Sequence, residues 1–244
     1  MNPKTVILAL FDVLGFESRL SVLGLGGMQS AYDSLIAIVN QMNGTVVIHR
    51  MPVGDGTFCP AMGYLSTEQA YFSDTILLWA TYDEFRVPAF CQMCASLLCE
   101  SLRVGLPLRG ALSVGDAILD KSRGVYLGAP LIEAARTEAG QAWIGVSFGP
   151  SFGVAPYNRS FDARTILPYK KHCKPERENY VQGLVLDWPR YWRENTLGDV
   201  QATICGLDTQ LDFSHYYGNT LDFFSYSEAQ HDWFLSSQHL SANT

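Results

Sequence analysis

Two aspartates stand where apolar runs should continue undisturbed. Asp12 closes the run TVILALF at Thr5–Phe11, and Asp74 interrupts YFSDTILLWA at Tyr71–Ala80. Carboxylates at the ends of adjacent strands can hold two divalent ions about 3.5 to 4 Å apart, a spacing that clamps phosphate oxygens during displacement. Taken singly, Asp12 also fits a helix N-cap and Asp74 a turn acid bonded to nearby backbone. Together they are harder to explain as architecture, because a buried carboxylate is costly unless it is paired or binds metal. Gly15, just beyond Asp12, permits a tight turn that brings backbone N–H groups toward a phosphate chain. Phosphate chemistry also needs cations. Between Tyr157 and Arg193 there are eight Lys or Arg against four acids, in a chain whose net charge is −7. Lys170 and Lys171, followed by His172 and Lys174, are candidates for holding β- and γ-phosphates, with a solvated basic loop as the alternative.

Other chemistries lack their signatures. No G-x-x-x-x-G-K-[ST] or strand-borne G-x-G-x-x-G occurs, and the glycine-rich LGLGGM at Leu23–Met28 reads as a helix break. The histidines have no triad or metal-helix spacing. Cys91, Cys94 and Cys99 fall at i, i+3 and i+8 of a helical segment with Leu97, Leu98 and Leu102, as small core residues do, and no second cysteine pair supports zinc. The acidic balance argues against bulk nucleic-acid binding. Val6–Phe11 and Ile76–Ala80 are far short of the roughly 20 residues needed to span a bilayer, and Asp12 interrupts any signal-like stretch. A cytoplasmic protein without a membrane segment is expected.

The elements that must position these residues follow from pattern. With 244 residues, 48% hydrophobic and 17% charged, the chain suits one domain or one domain with a tail. Thr5–Phe11 predicts a central strand. Ser30–Met42 predicts a helix stopped by Asn43-Gly44, and Thr45–His49 a second strand. Met51–Ser66 reads as a long connection able to cover a site. Tyr71–Ala80 predicts a third strand, Phe85–Val104 a helix, Leu108–Val114 and Gly124–Leu127 strands, Ala129–Ala139 a helix, and Trp143–Ser147 a final strand. The order β-α-β-β-α-β is the ferredoxin-like or palm arrangement, in which Asp12 and Asp74 become neighbours. We therefore expect an α+β fold, an antiparallel sheet with helices on one face. Residues 1–150 would form the core, and 151–244 an extension packed on it.

At this point the residues resemble a family. DVLGF at Asp12–Phe16 is similar to the D-x-x-G-F of class III nucleotidyl cyclases, SDTILL to their second metal-aspartate hairpin, and RGALSVGDAILDKSRGVYLGAPLIEAARTEA to their strand-glycine-strand-helix run ending in A-A-R. The likeness covers about Thr5 to Val146. It implies Asp12 and Asp74 as ligands of two Mn2+ or Mg2+ ions, with the Val13 carbonyl as a further ligand and Gly15 and Phe16 at the nucleotide. It also implies Arg136 as the arginine that stabilises the transition state while the ribose 3′-hydroxyl attacks the α-phosphate. Read without the family, Arg136 is a helix-surface residue pairing with Glu133 or the helix C-terminus.

The departures carry information. The resemblance implies a purine-reading Lys where Ala70 stands, an acid where Val125 stands, and a ribose-binding Asn where Ile132 stands. A site without its hydrogen-bonding partners discriminates against the base that needs them. This set, with YFSDTILLW, GLVLDWPR and YYGNTLDFF, is similar to bacterial pyrimidine cyclases of the Pycsar antiphage defence system. That likeness implies a homodimer in which one chain supplies the aspartates and the other the arginine, and a cyclic nucleotide read by a separate effector. Arg50, Tyr71 and Arg109 offer donors near the implied base pocket and favour UTP, so the expected reaction converts UTP to cyclic UMP and pyrophosphate. Cyclic CMP synthesis, a purine cyclase and a non-catalytic nucleotide-binding module are the alternatives.

Overall fold

In the computed structural model, which describes residues 2–52, 57–154, 157, 165–207 and 213–230, the alternation along β1 (Lys4–Val13) decides the layering. Ile7, Ala9, Phe11 and Val13 join the larger apolar cluster on one face. Val6, Leu8 and Leu10 join a smaller one on the other. Successive strand residues point to opposite faces, so Asp12 belongs to the face of Leu8 and Leu10. β1 lies between β5 (Thr75–Thr81) and β6 (Leu108–Asp120), antiparallel to both, and β4 (Glu68–Phe72) pairs outside β5. The order β4-β5-β1-β6 is the ferredoxin-like arrangement. The sheet continues from β6 through the parallel β8 (Val146–Phe148) to β10 (Leu184–Leu186) and β9 (Ile166–Pro168), while β7 (Val125–Gly128) pairs with the far end of β6.

Two predicted elements are corrected. Tyr71–Ala80 is not one strand: Phe72 pairs with Thr75, so β4 and β5 are joined by a hairpin turn of Ser73 and Asp74. Both middle strands of the ferredoxin-like core come from this segment. Thr45–His49 belongs instead to a separate hairpin of β2 (Val46–Pro52) and β3 (Phe58–Tyr64), which occupies much of the stretch expected to be a loop. Beyond His49 the hairpin lacks regular apolar alternation, so β3 left no periodic trace.

Helix α1 (Phe16–Met42) starts earlier than predicted and lays Met28, Ala31, Leu35 and Val39, at helical spacing, on the larger cluster. It breaks at Gly24 (φ 64, ψ 174), within the glycine-rich run read as a break. By length and composition alone α1 is apolar enough to cross a membrane, although Met28, Ala31, Leu35 and Val39 are buried in the larger core cluster. α2 (Val87–Arg103) buries Cys91, Cys94 and Cys99 as core residues, and burial pushes the thiols of Cys94 and Cys99 up, away from the reactive thiolate. α3 (Ala129–Ala139) matches its predicted bounds but packs on the opposite face, Ala134 joining Val6, Leu8 and Ala111. The class is the expected α+β; the helices are not all on one side.

The later part of the chain is continuous with this core. β9 and β10 extend the sheet, and α4 (Trp188–Glu194), α5 (Val200–Leu207) and α6 (Ser214–Ala229) bury Trp188, Trp192, Ile204 and Phe223 in the same cluster as Ile7 and Leu98.

Candidate active site

Register places the aspartates. Asp12 pairs with Thr75 on β5, so Asp74 lies one residue beyond it in the hairpin turn, and the Val13 N–H donates to the Asp74 carbonyl at 2.9 Å. The turn is made by a residue type that rarely makes it. Ser73 has φ 54, the left-handed conformation that two-residue hairpins need and that Gly or Asn normally supplies. Tyr32 of α1 holds it there by donating its hydroxyl to the Ser73 carbonyl at 2.7 Å. Burial, then the charges of Asp74 and Asp12, push the Tyr32 hydroxyl up to about 12, so it stays a donor beside both carboxylates.

On the other flank of β1, Asp12 pairs with Arg109 of β6. Arg109 Nη2 donates to Asp12 Oδ2 at 3.1 Å and pairs with Glu138 Oε1 at 2.6 Å. Its Nη1 donates to the Tyr216 hydroxyl at 3.2 Å and the Gln141 carbonyl at 3.4 Å. Glu138 is buried on α3. Desolvation pushes its carboxyl up to about 7, with the Asp12 charge adding to the rise and Arg109 and Lys174 opposing it. Beyond Asp12 the chain turns at Gly15 (φ 70), which precedes the first turn of α1, and the Phe213 ring lies against that glycine.

A divalent cation suits this donor set. Hard carboxylate oxygens are the ligands that Mg2+ and Mn2+ take, often only one or two of them beside substrate phosphates and water. Among the described residues no group of three His, Cys, Asp or Glu could cage a metal, so the protein offers two side chains and the nucleotide and solvent would supply the rest.

The structure brings Asp12, Val13, Asp74, Gly15 and Arg109 together and gives the other named residues contacts of their own. Phe16 opens α1, packed against the larger core cluster. Arg136 is exposed and rests over the Tyr180 ring at 5.5 Å; it and Glu138 project from different sides of α3. Tyr71, expected beside the base, takes the opposite face of β4 from Ala70, because strand residues alternate. It packs edge-on to Tyr32 at 5.9 Å and donates to Gln69. Lys171 forms an exposed pair with Asp222 at 2.6 Å, and the stem of Lys170 lies beside Gly183. Arg50 stands opposite Pro60 in the β2–β3 hairpin, and its side chain is outside those described. The basic residue that does approach is Lys174, with Nζ 5.8 Å from the Tyr216 ring centre.

Tyr32, Glu138 and Tyr216 are not among the site residues singled out in the sequence, whereas Lys174 belongs to its basic run. Glu138 had a signal: an acid four residues after Ala134, on the helix side that is buried.

No family model matches the chain, and no curated protein matches it. Among solved structures it is similar to a bacterial light-regulated adenylyl cyclase (TM-score 0.46, 12% identity, covering 81% of this chain and 97% of that one). It is also similar to the catalytic core of a rhodopsin-guanylyl cyclase with converted specificity in complex with ATPαS (TM-score 0.45, 9% identity, 76% and 94% covered). A further structure of a bacterial light-regulated adenylyl cyclase gives TM-score 0.45 at 13% identity, with 76% of this chain and 51% of that one covered.

Proposed function

We propose that the chain is a metal-dependent nucleotidyl cyclase acting on a pyrimidine nucleoside triphosphate, UTP first, to give the 3′,5′-cyclic monophosphate and pyrophosphate. The observation that carries the reading is the juxtaposition of Asp12 and Asp74 across β1 and the β4–β5 turn, beside the Gly15 turn. Asp12 and Asp74, with the Val13 carbonyl, would hold the divalent ions, which when bound would neutralise phosphate charge and lower the pKa of the attacking hydroxyl. The chain's own part is to fix the carboxylates: Tyr32 pins the turn that carries Asp74, and Arg109 pins Asp12.

The choice of base rests on what faces the same side as Asp12. Ala70 and Leu77 form an apolar floor there, with no side chain able to read a purine edge at position 70; Val125 at the start of β7 also lacks a polar group, although it alternates with Tyr126 and so takes the other face. Arg136 is exposed, on the same α3 face as Ile132 four residues earlier. Ile132 is 56% exposed, and Phe72, on the Asp12 side of the sheet, is 43% exposed. A second copy seated on these apolar residues would bury them and could carry its Arg136 into the first copy's site. The cyclic product would be a signal for a separate effector, in keeping with the resemblance to antiphage cyclases.

The test replaces one ligand without unfolding the turn. Asp74→Asn purified with Mn2+ is expected to lose cyclic product while its size by light scattering remains that of the wild type. Full activity in that variant would remove the mechanism.

A further inference from the structure

The start of α6 comes from the far end of the chain, yet two of its aromatic residues, Phe213 and Tyr216, land beside the aspartate site. Phe213, capping the helix, covers Gly15: a Cβ added at Gly15 would meet its ring at 3.1 Å. The neighbouring Tyr217 is anchored elsewhere, its hydroxyl accepting from Nη2 of the buried Arg19 of α1 at 2.6 Å. Tyr216 holds Arg109 twice, by a hydroxyl that accepts from Nη1 at 3.2 Å and by a ring 5.3 Å from the guanidinium carbon. Cation–π attraction of this kind strengthens where water is excluded, and the Arg109 side chain is only 12% exposed.

A guanidinium facing a carboxylate ordinarily takes both oxygens with two parallel N–H groups. Arg109 does not. Among the described residues it reaches only Oδ2 of Asp12, through Nη2, which it shares with Glu138, while Nη1 is turned to Tyr216 and the Gln141 carbonyl. Oδ1 of Asp12 is thereby left for another ligand. Were Nη1 released, the fork could rotate onto both oxygens and compete directly with a cation.

We propose that Tyr216 is a positioning residue: it holds Arg109 in a one-point contact with Asp12, so that the C-terminal helix sets the divalent-cation affinity of a site built by β1 and the β4–β5 turn. The inference rests on the reading of Asp12 as a metal ligand. Ligand-orienting groups of this sort typically change metal affinity about tenfold or more when removed.

Mn2+ binding to the full chain without nucleotide, followed by electron paramagnetic resonance of the free ion, tests it. Tyr216→Phe keeps the ring and the fold and removes the acceptor; binding is expected to weaken about tenfold. Tyr216→Ala is expected to weaken it further, with thermal melts recording whether the fold persists. In an Arg109→Lys background, where no fork exists to rotate, Tyr216→Phe is expected to change affinity by less than about twofold. Wild-type affinity in Tyr216→Phe overturns the proposal. So does the same weakening with Arg109→Lys present, and so does wild-type binding that Asp12→Asn leaves unchanged. A chain whose Mn2+ binding depends on Tyr216 and Asp12 but which yields no cyclic product would sink the cyclase reading and leave this inference standing.

Discussion

Glu138 is a buried acid set beside a second acid, and the fold resists its ionisation. Its carboxyl titrates near 7 in the folded chain against an ordinary 4.5. Below about pH 4.5 the group is protonated in both states and costs nothing. Between that pH and 7 the folded protein keeps a proton that the unfolded chain gives up, so this group's contribution to stability falls as pH rises and levels off above 7. Glu138→Gln mimics the protonated form. In metal-free urea titrations it is expected to match the wild type near pH 4.5 and to exceed it by on the order of 3 kcal/mol at pH 8; a constant difference across the range would contradict the assignment. At the same scale, Arg136 is exposed and remote in role from the intrachain network of Arg109. Arg136→Ala is expected to reduce turnover about a thousandfold, as loss of a charge-stabilising arginine does, with little change in stability. Mixing Arg136→Ala chains with Asp74→Asn chains should restore product, since a mixed dimer would contain one intact site. No recovery on mixing would contradict supply of the arginine by the second chain.

Among elements, some were open to reading and others were not, for physical reasons. β1 was legible because a central strand must be apolar on both faces, and α3 because Gly128-Ala-Pro and Gly140 mark its ends. The β4–β5 turn was not, because its left-handed residue is Ser73 rather than Gly, and its stability comes from Tyr32, 41 residues earlier. The aspartates could be named from sequence, but their surroundings could not. Arg109 meets Tyr216 across 107 residues, a contact that no local period encodes. Gly15 shows how tightly the elements are fitted. Gly15→Ala places a side chain in the left-handed region and against Phe213, and is expected to cost about 1 to 2 kcal/mol in urea unfolding. Wild-type stability in this variant would show that α6 and the turn can separate freely.

At the scale of the molecule, residues 151–244 do more than follow the core of residues 1–150. They supply two strands of the main sheet and the tryptophans Trp188 and Trp192 that close the large cluster, as well as the tyrosine that holds Arg109. Removing them uncovers α2 and β8. A chain ending at Pro150 is expected to lose near-ultraviolet circular dichroism and cooperative melting, the marks of fixed packing; a cooperative transition in that fragment would define a self-sufficient core. The reading of the whole, that these elements assemble a cyclase of pyrimidine triphosphates, is tested most directly by product mass. The purified chain is incubated separately with ATP, GTP, CTP and UTP in Mn2+ or Mg2+, and the products are identified by mass spectrometry. The expected result is cyclic UMP with pyrophosphate, and no cyclic purine. Cyclic AMP or cyclic GMP as the main product would contradict the role given to Ala70 and Val125, and no cyclic nucleotide from any of the four would contradict the cyclase itself.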